Sequence, residues 1–462
     1  MTLETFTIFP TNKHNRPTPP AKVHLHGLDG LSAAIQIHNH RFFRRPSTPI
    51  TEVIQQLKAT LAEALELYPP VAGTVQSNDK NEIFIAMDKE GIVGTPFLVD
   101  FKDTPFVKDF EDLSPRTEMI LPPMASNLAV KVTQFSCGTI CVASSFNHQV
   151  ADLRGFLDFL EFWAQLSRGE PVDFTRIPDD WERTPDRFFS DLIKQFEGVP
   201  LPAPPPFVLL DPPELGPSAY LLAPSVATNW KFTKTLMEQL KRDLSPPADS
   251  KFWISSGDAL AALVSGAITR ARQDSKVARL EGRSSEESGL ESIAMAADGR
   301  ERAPKGDMSG GRYLGNFNNL WSLTVPRSDL STPTTEAAGR VALAIRTNLD
   351  VQLSAESVAK RVAFFDNPEN RSPPGRVGWR ADVVLTNWCR FDLKGPKLQF
   401  GWGEKPFMAT SGGGKVFPPA YSLMTEDKET GDVFVLLTVE KDGEGALVGD
   451  VLLNKYATLI TE

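Results

Sequence analysis

Hydrophobic and polar positions change period several times along this chain, and each change predicts an element. Over 33–40 the pattern alternates, with Ile35 and Ile37 opposing Gln36 and His38, which predicts a strand. Over 51–67 the period lengthens. Val53, Ile54, Leu57, Leu61, Ala64 and Leu65 recur at helical spacing, and Tyr68-Pro69-Pro70 ends the run because proline cannot continue a helix. Residues 139–146 are apolar and β-branched, which predicts a buried strand. The period then switches again. Leu153, Phe156, Leu157, Leu160, Trp163 and Ala164 share one helical face, opposite Arg154, Asp158, Glu161 and Gln165.

The second half repeats this mixture. Residues 254–272 form a capped helix, with Ser255 and Asp258 at capping-box spacing ahead of Leu260, Leu263, Val264, Ala267 and Ile268. A helix is expected over 334–349, a buried strand over 432–440, and a closing helix over 449–460. Residues 273–292 are charged and serine-rich, which suggests a mobile surface loop. Strands and helices alternate in both halves, so the fold class is α/β with mixed sheets flanked by helices. Eight prolines between 200 and 217 make a stiff linker. It places the domain boundary at 205, with domains of 1–205 and 206–462.

Composition narrows the function. At 462 residues the chain exceeds one ordinary core, and 41% hydrophobic with 23% charged residues is globular usage. A net charge of -9 argues against nucleic acid as a partner. No run reaches the roughly 18 apolar residues of a membrane span, and no signal-like core opens the chain. Three cysteines (Cys137, Cys141, Cys389) form no disulfide framework or zinc set, which points to a reducing, cytoplasmic location.

His148 is the residue with the clearest chemical meaning. Five of the six histidines lie in the first forty positions, and His148 stands alone in Ser145-Phe146-Asn147-His148-Gln149-Val150-Ala151-Asp152. It sits at a strand-to-helix junction with a carboxylate four residues on. Imidazole titrates near neutrality and suits a general base. Asp152 can equally be the N-cap of the following helix while fixing the loop that presents the imidazole. His24-x-His26 and His38-x-His40 could each turn two imidazoles to one strand face, but nothing completes a metal set, so surface or edge-strand histidines are expected and no metal is assigned. Gln399-Phe400-Gly401-Trp402-Gly403 suggests a tight turn around a packed indole. Arg270, Arg272, Lys276 and Arg279 close a helix, where cations complement its dipole or anchor a phosphate.

As an ordered set these segments resemble the BAHD acyltransferase family, in the form of fungal secondary metabolism that includes trichothecene O-acetyltransferases. His148 to Asp152 resembles its HxxxD motif, and Phe400-Gly401-Trp402-Gly403 the last four residues of DFGWG. Leu67-Tyr68-Pro69-Pro70-Val71-Ala72-Gly73, Ser255-Ser256-Gly257-Asp258-Ala259-Leu260, Ala297-Asp298-Gly299-Arg300 and Tyr313-Leu314-Gly315-Asn316 match further segments in order. The resemblance runs from about residue 30 to the end. It implies two chloramphenicol-acetyltransferase-like domains with a channel at their interface, and a segment near 404–428 that crosses over to pack with the first domain. It implies acyl-CoA as co-substrate with no permanently bound cofactor, a hydrophobic alcohol as acceptor, and a monomer.

The same resemblance implies His148 as catalytic base and Asp152 as its brace. Trp402, Gly401, Ser255, Ser256 and Asn316 are the candidate substrate and CoA contacts, with Trp402 or Asn316 as possible oxyanion donors. Three departures stand out: Leu153 where the family usually has glycine, Asn147 where many members have a second histidine, and Gln399 in place of the aspartate of DFGWG. That aspartate pairs with an arginine, here Arg300, in a structural role, so the bridge should be weakened. The competing functions are a condensation-type enzyme fed by a carrier protein, a non-catalytic binding descendant, and a hydrolase using the same base.

Overall fold

The computed structural model describes residues 3–461 apart from 33–34, 79–81, 108–112, 119, 178–180, 182, 184, 215–223, 274–288, 305–312, 373–374, 380 and 412–416. The chain divides into two compact units, and neither is a continuous stretch. The first comprises Met1–Asp191, Ala303–Asn318 and Leu393–Gly413; the second comprises Leu192–Arg302, Asn319–Asp392 and Gly414–Glu462. The first boundary precedes the proline-rich stretch on which the sequence places it. Residues 303–318, which a linear division leaves in the second half, belong with the first unit.

The first unit is built on a mixed sheet of β1 (Glu4–Ile8), β2 (Gln36–Phe43), β3 (Thr95–Lys102), β4 (Leu128–Phe135), β5 (Ile140–Asn147) and the short strand Met408–Thr410. Its spatial order is β1, β3, β4, β5, β2, then 408–410. β3 and β4 run parallel, while β4, β5 and β2 are antiparallel neighbours, with Gln36 opposite Asn147 and Phe43 opposite Ile140. Two helices cover this sheet: α1 (Ile50–Leu67) and α2 (Leu153–Ser167). Every apolar position of the α1 stripe is buried. Phe156 of α2 stacks on Phe146 at 4.7 Å, and Trp163 meets Phe400 edge-on at 4.9 Å. Burying an aromatic side chain of this size contributes about 1.5–3 kcal/mol. Segment 393–413 is tied down by the Phe400 carbonyl, which accepts from Gln56 Nε2 (3.2 Å) and Ser167 Oγ (2.8 Å).

β2 is buried at all eight positions, although its sequence alternates. Strand neighbours lie on both sides of it, so His38 and His40 are neither surface nor edge histidines. Residues 114–118 and Ile120 cover its polar face: Ser114 Oγ lies 2.9 Å from His40 Nε2, Gln36 Nε2 donates to the Glu118 carbonyl (2.5 Å), and Ile120 bridges Ile35. His38 Nδ1 meets Ser145 Oγ at 2.8 Å. Burial, helped by the Arg116 charge, pushes His38 down to about 4; burial, with His38 and Lys131 nearby, pushes His40 down to about 3. Both imidazoles are neutral in the folded protein, whereas in the unfolded chain they take up protons near pH 6.5. Their contribution is therefore complete above pH 6.5 and is lost as pH falls toward 4 and then 3. For His38 the loss is about 3 kcal/mol at its limit. Urea midpoints between pH 7 and 4 are expected to fall steeply, and His38→Gln is expected to flatten that slope.

The second unit carries β6 (Ser225–Phe232), β7 (Leu290–Asp298), β8 (Asn318–Pro326), β9 (Val383–Asn387), β10 (Tyr421–Glu426), β11 (Val433–Glu440) and the pair Thr458–Leu459. The order is β8, β7, β9, β10, β11, β6, then 458–459, with β7, β9 and β10 parallel. Its core centres on the helix Ser256–Arg272, whose Leu260, Leu263, Val264, Ala267 and Ile268 pack with Trp230 and Trp321. Arg270 pairs with Asp450 (2.6 Å) and Arg272 with Glu440 (2.8 Å), so both cations of that last turn are used internally. Lys276 and Arg279 lie outside the described residues.

Two elements differ from expectation. The closing helix expected over 449–460 is shorter: it begins after Asp450, which caps it by accepting from Leu453 N (2.8 Å), and ends at Tyr456, after which Thr458–Leu459 is extended. Of the charged loop over 273–292, the final residues from Leu290 form the start of β7, and 274–288 lie outside the described residues. No helix among the described residues is long and apolar enough to cross a membrane.

Candidate active site

β5 ends at Asn147, and α2 begins after Asp152. The intervening loop is held in shape by backbone and side-chain bonds. His148 N donates to the Ile35 carbonyl (2.9 Å), and Asn147 Oδ1 accepts from Gln149 N (3.1 Å). Asn147 Nδ2 donates to Asn127 Oδ1 (3.0 Å), which gives the asparagine at this departure from the family pattern a bracing role. Asp152 is the N-cap of α2, with Oδ1 accepting from Gly155 N at 3.1 Å. Its other oxygen accepts from Phe317 N at 2.8 Å. One carboxylate thus starts the helix and ties segment 313–317 to it.

Among the described residues of this unit, the imidazole of His148 has one partner. Its Nδ1 lies 3.0 Å from Asn316 Oδ1. Asn316 Nδ2 donates to the His148 carbonyl (2.8 Å), the Gln149 carbonyl (3.3 Å) and Asp29 Oδ1 (3.0 Å). With its amide nitrogen engaged by three oxygens, Asn316 turns its own oxygen to His148. Nδ1 then carries the proton and Nε2 keeps a lone pair. Burial holds the His148 pKa below its ordinary value, although its own backbone, Asp152, Asn316 and Asp29 each oppose the shift. The ring keeps some accessible surface while protein surrounds it densely. A neutral base lost by protonation has a definite signature. The kcat/KM profile is expected to be flat through neutrality and to fall tenfold per pH unit on the acid side, with a midpoint below 6.5.

The sequence did not point to Asp29 or Arg183. Asp29 is fully buried, and Arg183 reaches it with Nε at 2.9 Å and Nη2 at 3.1 Å. Arg183 Nη2 also donates to the Gln149 and Val150 carbonyls, so it grips the loop that bears His148. These partners lie 154 residues apart in the chain. The only local signal was Asp29 at capping-box spacing from His26.

The other candidates have other surroundings. Trp402 packs on Phe43 at 4.8 Å and stacks on Phe400. Phe43 is the far end of β2 from Gln36, which pairs beside His148, so this indole is roughly 20 Å away along the strand. Gly401 has φ +93, and an added Cβ would come within 3.2 Å of Arg168 Cα, so it makes the turn possible. Gln399 uses both ends of its amide in that turn: Oε1 accepts from Gly401 N (2.8 Å) and Nε2 donates to the Gly403 carbonyl (3.1 Å). A carboxylate could not donate to that carbonyl, which is a physical reason for glutamine here. Arg300 is buried in the second unit, where Nη1 lies 3.1 Å from Asp298. Ser255 caps its helix in a full capping box with Asp258, and Arg346 bonds both side chains. Ser256 follows it, exposed. No group of three or more potential metal ligands occurs among the described residues.

The sequence model of the Transferase family matches residues 2–443. The chain belongs to this family, the BAHD acyltransferases. It is an acyltransferase of the class that transfers groups other than aminoacyl. The acyltransferase Uat1 of Mycosarcoma maydis is 27% identical, over 90% of this chain and 86% of its own. Among solved structures, TRI101 of F. graminearum, complexed with coenzyme A and deoxynivalenol, superposes with a TM-score of 0.74 at 18% identity, covering 95% of this chain and 100% of its own. Vinorine synthase gives 0.68 at 19% identity, with 98% of both chains covered. These likenesses establish the α/β fold that this acyltransferase shares with chloramphenicol-acetyltransferase-like enzymes.

Proposed function

We propose that this acyltransferase moves an acyl group from coenzyme A to a hydroxyl of a hydrophobic small molecule, a secondary metabolite, with His148 as general base. The observation that carries the reading is the setting of the imidazole: Nδ1 lies 3.0 Å from Asn316 Oδ1 at a strand-to-helix junction, an arrangement that favours the proton on Nδ1 and a lone pair on Nε2. Nε2 takes the proton of the acceptor hydroxyl as its oxygen attacks the thioester carbonyl. The tetrahedral intermediate collapses, the carbon–sulfur bond breaks, and the imidazolium returns its proton to the departing thiolate. No acyl-enzyme is needed when both substrates are held together, because proximity supplies much of the rate. Asp152 braces the loop and takes no proton.

Support for this donor and acceptor class comes from TRI101, solved with coenzyme A beside T-2 mycotoxin or deoxynivalenol. In this reading acyl-CoA is a co-substrate, no cofactor is resident, and the enzyme works as a cytoplasmic monomer. Ser255 and Ser256 sit at a helix start, a natural site for a carbonyl or an anion, which favours them as CoA contacts. The test offers acetyl-, malonyl- and long-chain acyl-CoA with pooled terpenoid and polyketide alcohols and follows thiol release and ester mass. Ester formed in step with thiol is the expected result. Folded protein that releases no thiol from any donor would overturn the proposal.

A further inference from the structure

Asp29 is a fully buried carboxylate that the reaction does not touch, yet donors converge on it from three parts of the chain. Oδ2 accepts from His26 N (3.1 Å) and Arg183 Nε (2.9 Å); Oδ1 accepts from Arg183 Nη2 (3.1 Å), Asn316 N (2.8 Å) and Asn316 Nδ2 (3.0 Å). A carboxylate offers only acceptors, so whatever faces it must donate. This decides which way the Asn316 amide lies. Rotated by half a turn, the Asn316 oxygen would meet Asp29 Oδ1 at about the present 3.0 Å and the His148 and Gln149 carbonyls at about 2.8 and 3.3 Å. Those would be three oxygen–oxygen contacts with no hydrogen between them. The observed orientation leaves the Asn316 oxygen facing His148 Nδ1, where only an N–H can satisfy it.

We propose that Asp29, held by Arg183, is the positioning residue that sets the tautomer of His148, acting through the Asn316 amide. The relay alternates in sign: guanidinium, carboxylate, amide N–H, amide oxygen, imidazole Nδ1–H. It differs from a carboxylate bonded directly to a histidine, because a neutral amide fixes the ring without placing a full negative charge beside it. The ring is oriented as a base and stays unprotonated. The inference rests on His148 acting as the base, but its central observable does not need turnover.

The experiment uses the full-length protein labelled with ¹⁵N-histidine, with His148→Gln to assign the His148 signals. Imidazole ¹⁵N shifts separate the Nδ1–H from the Nε2–H form directly. Wild type is expected to show Nδ1–H. Asp29→Asn keeps the shape but sets an NH₂ against donors, so it breaks the pair with Arg183 and removes one of the three oxygens that hold the Asn316 amide in its present orientation. It is expected to raise the Nε2–H share of His148 and to lower kcat on the order of 10–100-fold, with KM for acyl-CoA unchanged. If that variant fails to fold, Asp29→Asn combined with Arg183→Gln removes both charges, leaves no buried ion unpaired, and is read the same way. Asp29→Asn with His148 still in the Nδ1–H form overturns the relay, whether or not turnover falls. A tautomer shift with unchanged turnover sustains the relay and removes His148 as the base.

Discussion

Replacing His148 with alanine is expected to lower kcat by about 10²–10⁴-fold while the protein still folds. That loss corresponds to roughly 3–5 kcal/mol of transition-state stabilisation. Two separate facts lead to it. Among the described residues of its unit, the side chain of His148 bonds to Asn316 alone, so truncation costs about 1 kcal/mol of stability. The loop itself is held by other groups: the His148 amide on Ile35, Asn147 on Asn127, and Arg183 on the Gln149 and Val150 carbonyls. Thermal unfolding of the variant should therefore stay close to wild type while ester formation collapses. A folded variant with wild-type turnover would exclude His148 as the base. A variant that melts many degrees lower would mean that the residue holds the loop rather than the proton.

The second large effect is expected at a residue that touches no substrate. Gly155 is in the first turn of α2, three residues after Asp152, and a Cβ built there would come within 2.3 Å of the Leu314 carbonyl oxygen and 3.0 Å of Ala151 Cβ. Helix propensity alone predicts that Gly155→Ala stabilises the helix by about 1 kcal/mol. The contact reverses the sign, since backbone meets backbone and neither is the free end of a side chain. Overpacking of this kind costs about 1–3 kcal/mol. The displaced segment is the one that carries Asn316 and the Phe317 amide bonded to Asp152. Gly155→Ala is therefore expected to lower both the urea midpoint and kcat, the latter through a misplaced Asn316. A variant more stable than wild type and fully active would show that segment 313–317 yields freely.

Much of the secondary structure was legible in the sequence because it depends on neighbours. The stripe from Val53 to Leu65 is a helix whatever it packs on, and Tyr68-Pro69-Pro70 ends it by sterics. Ser255 and Asp258 cap a helix three residues apart, and both bonds form as the spacing implies. The junction that presents His148 was equally local, a β-branched run followed at once by a helical stripe with Asp152 between them. Where local signals ended, expectations slipped. The alternation at His38 and His40 suggested an exposed face, but a segment more than seventy residues away covers it. The closing helix stops at Tyr456, because the residues after it pair with β6 as the strand Thr458–Leu459.

By itself, the sequence determined the α/β class, the elements flanking His148 and the family, and it singled out that imidazole as the candidate base. Periodicity, caps and short motifs are properties of adjacent residues, and they survive in one dimension. What only the tertiary structure decided is how that imidazole is held. Asp29, His148, Arg183 and Asn316 carry no mutual signal along the chain, and their hydrogen bonds exist only after four separate stretches fold into one unit. The same holds for Trp402, a candidate oxyanion donor by resemblance, and for Gln399, expected to be structural: their contacts put both in a turn at the other end of the sheet. Composition can say that an imidazole is present. Which of its nitrogens carries the proton is set by the donors and acceptors that folding brings within 3 Å of it.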